Sequence, residues 1–184
     1  MKKSHFTPAE FGGYIPHRPP MLMIDEVIFA DPDLESGEAF YVPGNRPMAG
    51  LNPDGSLPSH VIMEVMAQGC AAVLGVCRML RGEPPMTRAL LLSVRGFQIR
   101  RRGTFPAGQR LLISVSRELK DENFVIMNVE AFASAGAPED SRAADDGGAM
   151  HDNRQIVASG RFSLIGAGDA GETDPEKPSG GAEK

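Results

Sequence analysis

Glu64 is the residue whose type and setting invite a chemical question. It lies in LNPDGSLPSHVIMEVMAQGCAAVLG, residues Leu51 to Gly75, among Val61, Ile62, Met63, Val65 and Met66. His60 precedes it by four residues and Gln68 follows it by four. On a helix such spacing puts all three on one face, within side-chain reach. Apolar surroundings raise a carboxyl's pKa, which suits a general acid or a group sharing a proton with a base. Gln68 is placed to hydrogen-bond that carboxyl and orient it, or to serve a purely structural purpose. Histidine is the commonest partner in such proton traffic. His60 is one candidate; His17, in the Pro-rich IPHRPP element, is another. Each has a plain structural alternative: Glu64 as an acceptor or a protruding side chain, His60 as a capping or surface group, His17 as a buttress of the first strand. His5 and His151 are expected in flexible segments and are set aside.

The elements that must position these groups follow from pattern. Pro58 and Ser59 make a helix start, and the apolar run continues to Leu80, stopping near Gly82 ahead of Glu83-Pro84-Pro85. This helix is apolar nearly all round and should be enclosed by protein on most sides. MLMIDEVIFA and LESGEAFYV before it read as strands, and PGNRPMAGLNPDGSLP between them and the helix reads as loop. ALLLSVRGFQI, RLLISVSREL, FVIMNVEAFA and QIVASGRFSL after it are four more strands. Two strands, one long buried helix and four strands make an α+β domain in which a curved antiparallel sheet wraps the helix. The domain is expected to span residues 1–165.

Charge divides the chain. Of the formal net charge of −5, residues 136–153 carry −4 and residues 166–184 carry −3, leaving the rest near +2. Both acidic segments lack the large apolar groups that offset ordering entropy, and are expected to form a flexible insertion and a disordered tail. The positive charge gathers in RGFQIRRRGTFPAGQR, residues 95–110, with five arginines and no acid. A single patch with no interleaved aromatics beyond Phe97 and Phe105, on an acidic chain, argues against nucleic acid. Cys70 and Cys77, seven apart on one helix, are too distant to bridge and read as small core residues of a reducing compartment. Scattered histidines offer no metal-ligand spacing. Glu64, Gln68 and Arg78 interrupt the apolar run, so it is not expected to cross a membrane. With no leader visible behind Lys2 and Lys3, the expected address is the cytoplasm.

Three stretches resemble the hotdog-fold 3-hydroxyacyl-[acyl-carrier-protein] dehydratases. IPHRPPMLMIDEV is similar to that family's opening, LPSHVIMEVMAQ to the start of its central helix, and RRGTFPAGQRLLISV to its central hairpin. The approach NPDGSLP fits the subgroup associated with aryl polyene clusters best. The resemblance implies a hotdog fold, a dimer or heteromer of hotdog subunits, an acyl tunnel at their interface, and no cofactor. It implies dehydration of a 3-hydroxyacyl-[acyl carrier protein] to the 2-enoyl product. Glu64 would be the carboxyl of the site, with His17 or His60 as base. Gln68 would lie against the substrate, and the amide of Ser59 or its neighbour would polarise the thioester oxygen. Arg100 and Arg101 would meet the acidic carrier. One departure stands out: the family's familiar histidine, fourteen residues before the Glu, is here Gly50. Two other readings follow from this: a weak subunit supporting an active paralogue, or an acyl thioesterase using the carboxylate to activate water.

Overall fold

The computed structural model describes residues 4–45, 47, 50–85, 88–121, 124–134 and 154–167. The long helix α2 spans Ile62–Leu80 and is entered through a 3-10 turn, Ser59–Val61, behind Pro58. Its end is set by Gly82, whose φ of 70° permits a reversal. There the Gly82 amide donates to Met79 and the Glu83 amide to Arg78, satisfying two orphan carbonyls. A shorter helix, α1, covers Pro8–Phe11 and runs into a 3-10 turn, Gly12–Tyr14. Neither was evident in the sequence pattern.

Eight strands follow in chain order: β1 (Glu26–Asp31), β2 (Ser36–Tyr41), β3 (Leu57–Pro58), β4 (Arg88–Ile99), β5 (Thr104–Phe105), β6 (Leu111–Lys120), β7 (Phe124–Ser134) and β8 (Arg154–Ala167). Six of them form one antiparallel sheet in the order β1-β2-β6-β7-β8-β4. This is the α+β hotdog arrangement, one long helix packed on a large antiparallel sheet. The face of α2 carrying Val65, Met66, Cys70, Val73, Val76 and Cys77 is buried against it. Gly69 lets the backbones close in: a Cβ there would stand 2.8 Å from Ile113 Cγ2 on β6. The opposite stripe of α2 is less enclosed than its composition suggests, with Met63 40% exposed. Residues 59–80 are long and apolar enough to cross a membrane, but most of the helix is buried within the fold.

Three boundaries differ from the sequence pattern. The first apolar run enters the sheet only at Glu26, because Met21 and Met23 are tied to α2 instead. β8 continues to Ala167, paired with Arg88, past the Leu164 at which its apolar run ends in the sequence. The turn joining β4 to β6 contains β5, whose Phe105 is fully buried and pairs with Leu57. The acidic insertion and most of the tail lie outside the described residues. Cys70 and Cys77 are free and buried, as core residues would be, and burial pushes both thiols up to about 12.

Candidate active site

The site forms where the N-terminal segment crosses the start of α2. Phe6, Phe11 and Ile15 sink into the core and anchor that segment. Arg18 then folds back on it: its Nη1 donates to the Ile15 carbonyl at 2.6 Å and to the His17 carbonyl at 2.8 Å. The Arg18 carbonyl accepts from the amides of Met21 and Leu22, closing a turn. His17 is thereby held on a short, braced loop.

Gln68 joins this loop to the helix. It is fully buried, and its Oε1 accepts from the Met23 amide at 2.8 Å. Its Nε2 donates to the Met21 carbonyl at 2.9 Å and to Glu64 Oε1 at 2.7 Å. The i+4 contact expected from spacing is present, and one amide serves three partners. His17 Nε2 stands 3.7 Å from the same Oε1. That is close enough for an ion pair and beyond hydrogen-bond reach, a gap that catalytic groups often show before substrate binds. Among the described residues Glu64 Oε2 takes no hydrogen bond. His17 Nδ1 is buried and has no hydrogen-bond partner among them.

The burial on which the carboxyl's sequence reading rested is not found in the chain alone. Glu64 is 45% exposed and His17 30%. Residue 64 faces the open stripe of α2, while Val65 and Met66 beside it take the sheet side. His60, in the 3-10 turn, is exposed and makes no hydrogen bond or ion pair with Glu64. The turn breaks the uniform helical spacing that would have stacked residues 60 and 64. Of the two histidines, His17 is the one brought to the carboxyl.

The helix start is tied to the arginine-rich connection between β4 and β6, which is not the hairpin expected from the sequence, since β4 pairs with β8 at the sheet edge and β6 with β2 and β7. β3 and β5 pair through Leu57–Phe105 and Pro58–Thr104, and the Ser59 amide donates to the Gly103 carbonyl at 2.8 Å. That amide is committed and the 3-10 turn engages the Val61 amide, so among the described residues the unpaired donor of the first turn is that of His60. Arg101 lies 5.3 Å over the Phe105 ring and donates to Gln109 Oε1 at 3.2 Å. Arg100 gives its amide to Val157 and exposes its side chain. Neither arginine touches Glu64. Gly50 sits beside the helix start in the left-handed region, φ 86°, where a Cβ would meet Val61 Cγ1 at 3.4 Å. Any side chain there is strained. Among the described residues no group of three His, Cys, Asp or Glu side chains could hold a metal ion.

The role of Gln68 as a joint was not legible, because its backbone partners Met21 and Met23 are more than forty residues away. Arg18 carried a signal, its place in the Pro-His-Arg element, but no clue to its carbonyl partners.

The ApeI:P dehydratase heterocomplex of Xenorhabdus doucetiae superposes with a TM-score of 0.67 at 22% identity, covering 86% of this chain and 91% of that one. The phenylacetic acid degradation protein PaaI of Thermus thermophilus, in a mutant form, gives 0.49 at 12% identity over 78% and 93%. The hexameric thioesterase y2039 of Yersinia pestis gives 0.44 at 12% identity over 72% and 87%. No curated protein matches the chain. A family model described as ApeP dehydratase matches residues 9–144, well over half of the sequence, and the chain belongs to this ApeP-like dehydratase family.

Proposed function

We propose that this protein dehydrates 3-hydroxyacyl thioesters to 2-enoyl thioesters, with Glu64, His17 and Gln68 as its site. The observation that carries the reading is the convergence of His17 Nε2 and Gln68 Nε2 on one oxygen of Glu64, at the start of α2. Dehydration needs a group to take the proton beside the carbonyl, a proton for the leaving hydroxyl, and a dipole for the thioester oxygen. The His17–Glu64 pair addresses the first two. The first-turn amide of His60, at the positive end of the helix, addresses the third. None of these steps calls for a cofactor.

The acyl group would arrive on an acyl carrier protein. Exposed Arg100 and Arg102, on the β4–β6 connection fixed to the helix start, offer a positive surface to such an acidic carrier. Assembly with a second hotdog subunit, identical or not, is the companion proposal. β4 is the last strand of the sheet and exposes Leu90 by 58% and Leu92 by 57%. An apolar edge of that kind favours strand addition.

A second reading makes the chain a supporting subunit. Gly50 occupies the position of the family's familiar histidine, and the structurally similar ApeI:P protein is a heterocomplex. The test is enoyl formation by the purified protein, alone and with an active hotdog subunit added. Activity alone, lost in Glu64→Gln, supports the dehydratase. Activity only with the second subunit, unchanged by Glu64→Gln, supports the supporting role. Release of free thiol without loss of water would identify a thioesterase instead.

A further inference from the structure

The His17 ring presents its two nitrogens to very different surroundings. Nε2 faces Glu64 Oε1 at 3.7 Å, while Nδ1 is sealed from solvent with no hydrogen-bond partner among the described residues. A buried N–H without an acceptor is costlier and rarer than a buried acceptor without a donor. Neither nitrogen is hydrogen-bonded, but Nε2 has a carboxylate oxygen at 3.7 Å and Nδ1 has no polar partner among the described residues. A neutral ring therefore carries its proton more favourably on Nε2, toward the carboxylate. An imidazole carrying its proton on Nε2 has no lone pair there to accept another, and its only free lone pair is the buried one. His17 in this state cannot take a proton from a substrate in the open part of the site.

Glu64 has the complementary surroundings. Both polar neighbours approach Oε1, and Oε2 takes no hydrogen bond among the described residues. Solvent reaches the group, which is 45% exposed. The Gln68 amide fixes its orientation without offering a proton to transfer.

We infer that Glu64 carries the proton through both halves of the reaction, and that His17 is a positioning residue whose Nε2–H faces Glu64 Oε1 across 3.7 Å and attracts it electrostatically. The inference rests on the dehydratase reading and reverses the expectation that a histidine is the base. In the first half Oε2 takes the proton from C2 of the 3-hydroxyacyl thioester, leaving an enolate and a neutral Glu64 carboxyl. In the second half the enolate electrons form the C2–C3 double bond as the C3–O bond breaks. The carboxyl returns its proton to the departing hydroxyl, giving water and restoring the carboxylate. One proton leaves the substrate and rejoins it as part of water, so no second acid is required. The two substrate groups must then lie on the same side of the chain, facing Oε2.

Two measurements on the full-length protein test this. Nitrogen-15 NMR of histidine-labelled protein, with the His17 signals assigned from a His17→Gln sample, should find the neutral ring protonated at Nε2. A proton on Nδ1 overturns the inference. In dehydration assays, His17→Gln replaces one N–H donor by another that cannot act as a base. It should stay within about tenfold of wild type, the scale of one imperfect hydrogen bond. His17→Leu, with no donor, should fall further, and Glu64→Gln should lose at least about a hundredfold, the scale of a missing acid–base group. Equal loss in His17→Gln and Glu64→Gln, from an active wild type, would make His17 the proton carrier and overturn the inference alone. An inactive wild type would instead remove the dehydratase reading on which the step depends.

Discussion

Two glutamates near opposite ends of α2 solve opposite problems. Glu35, in the turn between β1 and β2, has only 5% of its side chain exposed and is surrounded by cations. Lys120 Nζ lies 2.6 Å away, Arg117 Nη1 3.2 Å and Arg81 Nη1 3.3 Å. Its backbone is left-handed, φ 47°, a strain that the three partners offset. Glu64 is 45% exposed, with one neutral amide and one histidine for company. The cations on Glu35 join two elements to the turn: Arg81 the end of the helix, and Arg117 and Lys120 the end of β6. A carboxylate so saturated has nothing left to offer a substrate. Glu64 keeps an oxygen open, and its partners orient it without quenching it. On the proposed function, saturation marks the structural acid and incompleteness the working one.

The largest effect that could break this contrast is on turnover. Glu64→Gln should abolish at least about 99% of dehydration, the hundredfold scale of a lost acid–base group. Its melting temperature should hardly move, since substitutions at exposed sites usually change stability by about 0.5 kcal/mol or less. A strongly destabilised Glu64→Gln protein would erase the distinction. Glu35→Gln should do the reverse. It leaves three cations facing a neutral amide, and a cost of about 2 kcal/mol in denaturant unfolding is expected. That is below the usual cost of breaking a buried pair because the cations are themselves partly solvated. The turnover of the folded fraction should be unaffected.

Acid titration sharpens the comparison. Burial alone would raise the Glu35 carboxyl, but the hydrogen bond and charge of Lys120, with Arg117 and Arg81, outweigh it and hold it below its ordinary 4.5. The stability this contributes is fully present above 4.5 and is lost as pH falls through the lower folded value. The gap between wild type and Glu35→Gln in urea melts should therefore close below about pH 4.5. A gap independent of pH would remove the ionic explanation.

Gln68→Leu lies between the two classes. It strips the buried Met23 amide and Met21 carbonyl of their partner and frees Glu64 to rotate. A loss of about 1–3 kcal/mol follows from the unsatisfied amide, along with reduced turnover. The smallest effect belongs to His60→Ala, which should leave both stability and turnover within about twofold of wild type, because His60 is an exposed side chain away from Glu64.

Sequence pattern carried most of the fold and part of this contrast. The strands of the main sheet and the long helix follow from alternation, apolar runs and turn residues, while the short β3–β5 pair does not. Glu64 and Gln68 were visible as a pair because helical spacing is local. What stayed hidden depended on distance in sequence. Nothing around residue 17 indicates that Gln68 binds the backbone of Met21 and Met23, or that this brings His17 rather than His60 to the carboxyl. Glu35 was unremarkable for the same reason, its partners Arg117 and Lys120 lying more than eighty residues on. The burial assigned to Glu64 failed because a hydrophobic neighbourhood in sequence does not say which side of a helix the sheet covers. Met63 and Glu64 face outward, and Val65 and Met66 face in.

The central claim, that Glu64 is the working acid of this fold, is tested most directly by mass spectrometry of a 3-hydroxyacyl carrier protein incubated with wild type and with Glu64→Gln. The account predicts loss of water with wild type and none with the variant, both proteins melting alike. Equal loss of water with the two proteins would contradict it.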